Sequence, residues 1–249
     1  MSEIVLSADN ITLRYGAFKA LQDVSVALRA GELTSIIGPN GAGKSSFFNV
    51  ISGARKPTVG RIIFEGRDIT DLQQHQYVHA GIAKSFQITN VFPALTVHEN
   101  VRIAAQATVA GKNFWSKRSK LTRTDDAARR LLEEVGLVQV AHRSASELSH
   151  GQQRALEIAM ALASEPRLLL LDEPTAGMSP EETREMVHLI ERLAKTRTVI
   201  LVEHKMKMVL NISQRIIVLH HGTLLADGSP DEVRSDVEVK RVYLGERRH

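Results

Sequence analysis

The sequence predicts an α/β chain: a mostly parallel sheet flanked by helices, an antiparallel β subdomain and an inserted α-helical subdomain. Three observations predict it. Helix-like and strand-like text alternates late in the chain (helix 151–163, strand 168–171, helix 180–194, strand 198–202), which implies parallel strands joined by crossover helices. The opening residues instead read as two short alternating runs, 4–15 and 21–28, joined by a turn at Gly16. From about Thr96 to Leu148 the text is rich in Ala, Leu, Glu and Arg, with apolar spacing near that of a helix at Leu131, Leu132 and Val135.

Composition bounds the class. A chain of 249 residues suits one large domain, or one domain with an inserted subdomain, and 43% hydrophobic with 24% charged residues is a globular balance that argues against disorder. There is no cysteine, hence no disulfide framework and no thiolate chemistry. No apolar run approaches the ~20 residues that span a bilayer, and residues 1–16, with Glu3, Asp9 and Arg14, lack a signal-like apolar run. A soluble chain is expected, reaching a membrane only through partners. The net charge of +4 suits nucleotides or anionic headgroups without deciding between them. Only 4% of residues are aromatic and they are scattered, so no nucleic-acid partner is expected.

The elements follow in order. Residues 33–37 form a buried strand that ends in a glycine-rich turn, and a helix starts near Gly43 and runs to about Ser52. Residues 61–65 read as a strand, 73–80 as a helix and 82–86 as a strand. Within the insert, residues 110–124 are polar and basic (Lys112, Lys117, Arg118, Lys120, Arg123, with Trp115) and read as a loop or extended arm. That arm suits anionic headgroups, a partner protein's surface or plain solvent. Strands 215–219 and 223–226 and a short C-terminal helix close the chain. The reading divides it into a catalytic core with β subdomain, 1–86 and 149–249, and a helical insert, 87–148.

Chemistry first shows at the glycine-rich turn. Gly38-Pro39-Asn40-Gly41-Ala42-Gly43-Lys44-Ser45 fits G-x-x-x-x-G-K-[ST] between a strand and a helix. Glycines let the backbone wrap phosphates with its N–H groups pointing inward, and the helix behind adds its positive end. Lys44 should reach the β- and γ-phosphates, Ser45 should ligate Mg²⁺, and Ser46 belongs to the same nucleotide-binding helix start. The apolar run 168–171 ends in Asp172 and Glu173, a strand buried on both faces that delivers two carboxylates to its C-terminal edge. Asp172 is assigned to the Mg²⁺ shell and Glu173 to the general base that polarises water. Ser149 is a good N-cap for the helix that follows, which makes a second helix start able to hold an anion.

Leu148-Ser149-His150-Gly151-Gln152-Gln153 resembles the L-S-G-G-Q signature of the ABC transporter ATPases, and the family's other motifs stand in order around it. The resemblance covers essentially the whole chain and implies an ABC nucleotide-binding domain, a P-loop NTPase core that binds ATP with Mg²⁺. By that resemblance Tyr15 stacks on adenine, Gln87 senses Mg²⁺ and the attacking water, and His204 contacts the γ-phosphate. Ser149, Gly151 and Gln152 face the phosphate of a partner's nucleotide. His204 stands out from the chain's ten histidines only by its place among these motifs. Two positions depart from the pattern: His150 replaces the first signature glycine, and Ser179 stands where the following D-loop usually ends in aspartate.

The resemblance also implies head-to-tail pairing with a second ABC ATPase subunit, identical or different. Each ATP then lies between one chain's phosphate loop and the other's signature helix. Finer text is similar to the ATPases of branched-chain amino acid importers: Ser85-Phe86-Gln87, Val91-Phe92-Pro93, Leu95-Thr96-Val97, Ala176-Gly177-Met178 and Tyr243-Leu244-Gly245-Glu246. This implies transmembrane permease subunits, indirectly a periplasmic solute-binding protein, and a peripheral place on the cytoplasmic face of the inner membrane. Urea and other amide importers use similar ATPases, and some ABC ATPases act as soluble assembly partners; both readings stay open here.

Overall fold

A computed structural model of the chain describes residues 3–85, 91–109 and 117–244. The first sheet is antiparallel. Strands β1 (Ile4–Tyr15) and β2 (Phe18–Arg29) form a hairpin whose two-residue turn includes Gly16. After β3 (Leu33–Ile37) and helix α1 (Lys44–Ile51), the strands β4 (Val59–Phe64) and β5 (Arg67–Asp68) complete this sheet in the order β2-β1-β4-β5.

The second sheet carries the site. Helix α2 (Gln74–Ala80) leads to β6 (Ile82–Lys84), and then come α3 (Val97–Val109), α4 (Lys117–Val135) and two 3₁₀ turns at Val138–Val140 and Ala145–Glu147. Helix α5 (His150–Leu162), β7 (Leu168–Asp172), α6 (Pro180–Ala194), β8 (Thr198–Val202) and α7 (Met206–Ile212) follow, then β9 (Arg215–His220), β10 (Thr223–Gly228), α8 (Pro230–Ser235) and α9 (Val237–Leu244). The strand order is β10-β9-β3-β8-β7-β6, parallel throughout except for the β9–β10 hairpin.

Every residue of β3, β7 and β8 is buried, as a parallel sheet covered on both faces requires. The strand period of two then sorts side chains between two cores. Leu168 and Leu170 pack with Phe47 and Phe48 of α1 and with the antiparallel sheet, whereas Leu169 and Leu171 pack with Leu156 of α5, Leu189 of α6 and Leu132 of α4. Each such burial is worth about 1.5–3 kcal/mol, so the strand bearing Asp172 is fixed from both sides. The helices α3 and α4 share that second core through Val97, Val101, Ala128 and Leu132.

Three differences from the sequence reading are physical. The basic stretch 117–124 is not a loop; it is the start of α4. Lys, Arg and Leu are all good helix formers, so polarity there is no sign of a break. The rest of that arm, 110–116, lies outside the described residues. The C-terminal helix is two helices, α8 and α9, separated at Asp236, whose backbone is extended. Finally, α7 and the two-residue β5 carry too short a pattern to announce themselves.

Candidate functional site

The phosphate loop lies between β3 and α1. A side chain at Gly38 would stand 2.3 Å from the Leu219 carbonyl oxygen, so only glycine fits. Gly43, the N-cap of α1, has φ +101° and no side-chain cap. A side chain there would be strained as well as 2.9 Å from the Ala20 carbonyl oxygen. The start of α1 therefore shows its backbone N–H groups without a cap from the chain. Lys44 is 8% exposed, and its ammonium donates to the Gly38 carbonyl at 2.8 Å and to the Pro39 carbonyl at 3.1 Å. Burial pushes its pKa below the ordinary lysine value, opposed by the charges of Glu173 and Asp172. Gly41, Ala42, Gly43, Lys44, Ser45 and Ser46 line a cavity of about 190 Å³ with Phe18 and Ala20 of β2.

Tyr15 pairs across the hairpin with Phe18, and its half-exposed ring lies 5.9 Å from the Arg55 guanidinium. Phe18, 66% exposed and on the cavity wall, is an aromatic that the sequence reading passed over. Its signal was its place just past the Gly16 turn.

The two carboxylates stand at the end of β7. Asp172 is 5% exposed. Burial raises its pKa, and Lys84 opposes most strongly among the nearby charges. Lys84 itself donates to Asn49 Oδ1 at 3.0 Å, above the Phe48 ring at 4.8 Å. Glu173 has φ +44°, a conformation costly for a residue with a side chain, and its amide is held by the Val202 carbonyl at 2.9 Å. His204 follows β8, with Nδ1 4.0 Å from Glu173 Oε1 and 3.8 Å from Glu203 Oε2. Glu203 is fully buried and accepts from the Thr175 hydroxyl at 2.6 Å, the Thr175 amide at 3.2 Å and the His204 amide at 3.1 Å. Lys205 donates to the Thr175 carbonyl at 2.9 Å. The loops after β7 and β8 are thus tied together, which brings Glu173 and His204 side by side.

Ser149 caps α5 in a full capping box with Gln152: its hydroxyl accepts from the Gln152 amide at 3.3 Å, and Gln152 Oε1 accepts from the Ser149 amide at 3.1 Å. The Glu182 carboxylate on α6 reaches the same helix start. Gly151 and Gln152 line a separate cavity of about 440 Å³ with Glu182 and Leu137, and none of its lining residues belongs to the phosphate loop. Gln87 lies outside the described residues. Of the predicted metal ligands, Ser45 and Asp172 are described, and both offer hard oxygens. Among the described residues no group of three or more His, Cys, Asp or Glu side chains converges to cage an ion. One carboxylate and one hydroxyl fit Mg²⁺, which keeps waters and substrate phosphates as its other ligands.

A phosphate-wrapping loop, two carboxylates at the edge of a parallel sheet and a histidine beside the second define an ATP-binding cassette. The comparisons agree. The chain matches the ABC transporter family over residues 21–176 and the branched-chain amino acid ATP-binding cassette transporter family over residues 223–249. The chain belongs to the ABC transporter family, as its ATP-binding and ATP-hydrolysing cassette. It is 40% identical to the high-affinity branched-chain amino acid transport ATP-binding protein LivG of Salmonella typhimurium over 255 residues, covering 99% of this chain and 100% of that protein. Among solved structures it resembles the ADP conformation of an ATP-binding cassette of an ABC transporter, with TM-score 0.85, 33% identity and coverage of 98% and 100%. It also resembles a dimeric bacterial ABC transporter cassette, with TM-score 0.77, 28% identity and coverage of 90% and 98%. Among the described residues no helix is long and apolar enough to cross a membrane.

Proposed function

We propose that this chain powers an importer of branched-chain amino acids from the cytoplasmic face of the inner membrane. It does so as one of a head-to-tail pair of ATPases beneath two permease subunits, fed by a periplasmic solute-binding protein. The observation that carries the catalytic reading is the Glu173–His204 pair, 4.0 Å apart beside the buried Asp172. The solute class is supported by the match over residues 223–249 and by the full-length relative.

The residues divide the work. The backbone amides of 40–45, past Pro39, which has no N–H, bind the phosphates, and the Lys44 ammonium exchanges its loop carbonyls for β- and γ-phosphate oxygens. The Tyr15–Phe18 hairpin offers aromatic surface to adenine. Ser45 and Asp172, with Gln87, would hold Mg²⁺, which when bound neutralises charge on the transferred phosphoryl group. Glu173 accepts the proton of the attacking water, and His204 holds the γ-phosphate. Ser149 and Gly151 of the paired chain complete the cage around that phosphate. The insert 87–148 transmits closure to the permease. An apolar-walled cavity of about 290 Å³ at Tyr77, Val78, Ala104, Ala107 and Met160, between α2, α3 and α5, supports that role.

The test is uptake of leucine by proteoliposomes holding the complex purified with this chain. ATP-dependent uptake that Glu173→Gln abolishes supports the proposal. Purification with no permease attached, or uptake unchanged by that substitution, overturns it.

A further inference from the structure

Two donors that the paired arrangement assigns to the γ-phosphate are already engaged within the chain. Ser149 has one hydroxyl proton, which goes to Glu182 Oε1 at 2.8 Å. Gly151 has one amide proton, which goes to the same oxygen at 3.0 Å. The other oxygen, Oε2, accepts from the Ser179 amide at 3.1 Å, closing the capping box of α6. The lone pairs of the Ser149 hydroxyl serve the Gln152 amide. A single O–H and a single N–H cannot serve a carboxylate and a phosphate together.

The approach at Gly151 is tight. A side chain at Gly151 would stand 3.1 Å from Glu182 Cβ and 3.2 Å from Glu182 Oε1. These hydrogen bonds draw the Glu182 carboxyl down to about pKa 2, the Gly151 amide first, then Ser179 and Ser149. It is therefore a full anion at neutral pH, the chemical equivalent of a phosphate oxygen at a helix N-terminus. A second tie joins the same two segments: His150 Nε2 lies 3.0 Å from the Ala176 carbonyl oxygen. Both departures from the family pattern thus fall at one junction, His150 at the start of α5 reaching the loop after β7 and Ser179 as the cap that aims Glu182.

We propose that Glu182 is an internal competitor for the signature phosphate site, holding Ser149 and Gly151 until the nucleotide of the paired chain displaces it. The inference rests on the head-to-tail pairing proposed above. Before the pair closes, the carboxylate must leave, and the cost of leaving raises the ATP concentration at which pairing occurs. Glu182 then acts through Ser149 and Gly151 as a positioning residue that sets the threshold for closure.

The experiment measures ATP-dependent pairing by analytical ultracentrifugation in a Glu173→Gln background, which holds ATP unhydrolysed, with the second ATPase of the complex added if the natural pair is mixed. Glu182→Gln keeps a capping-box residue at the third position of α6 but removes the charge. It should pair at an ATP concentration roughly fivefold or more lower, since charge-assisted hydrogen bonds are about twice as strong as neutral ones. Glu182→Ala, which removes the occupant altogether, should shift at least as far. Binding of a fluorescent ATP analogue to the unpaired chain should not move, which separates the latch from the phosphate loop. If the parent pairs and both variants pair at the same or higher ATP concentration, the latch is overturned while the pairing stands. If neither the parent nor the variants pair at any ATP concentration, the pairing itself fails and the latch falls with it.

Discussion

The two helix starts proposed to meet phosphate are built in opposite ways. The start of α1 has a glycine N-cap at φ +101°, no side-chain cap and no acidic residue in its first turn. The start of α5 has a serine cap, a complete capping box and a carboxylate from another helix on its N–H groups. A helix start must satisfy about four amides, from the chain or from something else. Leaving a cap off costs on the order of 1 kcal/mol, which a ligand can repay. At α1 the chain supplies no side-chain cap and leaves that work open to a ligand. At α5 it does the work itself, so a ligand must displace what is there. On the proposed reading the first end binds and the second resists until binding elsewhere drives closure.

Substitutions at the binding end should have the largest effects. Glu173→Gln removes the carboxylate proposed as proton acceptor and leaves the phosphate loop untouched. Turnover measured by phosphate release should fall roughly 10²–10⁴-fold, while ATP affinity by fluorescence titration stays within about twofold. Turnover near that of the parent would remove Glu173 from the base role. Lys44→Ala should weaken ATP binding by about 10- to 100-fold, the loss of charge-assisted bonds worth ~1.5–3 kcal/mol, as read by calorimetry. An unchanged affinity would mean that the uncapped amides of α1 suffice.

Between the two ends, the catalytic loops are self-satisfied in the manner of α5. Thr175→Val keeps volume but deletes the hydroxyl that donates to the fully buried Glu203. The substitution should cost about 1–3 kcal/mol in urea unfolding, because a buried acceptor loses its partner. A cost near zero would show that the Thr175 and His204 amides hold Glu203 adequately.

The binding end was legible in the sequence because its chemistry is local. Eight consecutive residues, 38–45, carry the backbone freedom, the cation and the hydroxyl, and the strand and helix beside them confirm the context. Asp172 and Glu173 were legible for the same reason, at the end of a run of four leucines. The resisting end was not. Ser149 could be read as a cap, but its partner Glu182 lies 33 residues away and meets it only because α6 packs beside α5. Glu203 could be seen only as the neighbour of His204; its role depends on Thr175, 28 residues earlier and just past the neighbouring strand β7. The basic start of α4 is hard to read because its charge resembles that of a loop, although helix propensity favours the segment.

The smallest expected effect separates the two ends by pH. Glu182 titrates near 2 in the folded chain against an ordinary 4.5, so it adds stability above pH 4.5 that is lost as pH falls toward 2. Melting temperatures of the parent should therefore drop more steeply between about pH 4.5 and 3 than those of Glu182→Gln. Lys44 works in the other direction. Its folded pKa is pushed below 10.5, chiefly by burial, so over that interval the unfolded chain binds the proton more tightly. Stability then rises as pH climbs through the depressed value toward 10.5, a gain that Lys44→Ala should lack. Equal acid slopes in parent and Glu182→Gln would mean that the carboxylate does not hold the α5 start in solution. A steeper acid slope confined to the chain with Glu182, beside an alkaline gain confined to the chain with Lys44, would show one helix start stabilised by its own anion and the other burdened by a buried cation kept for the nucleotide.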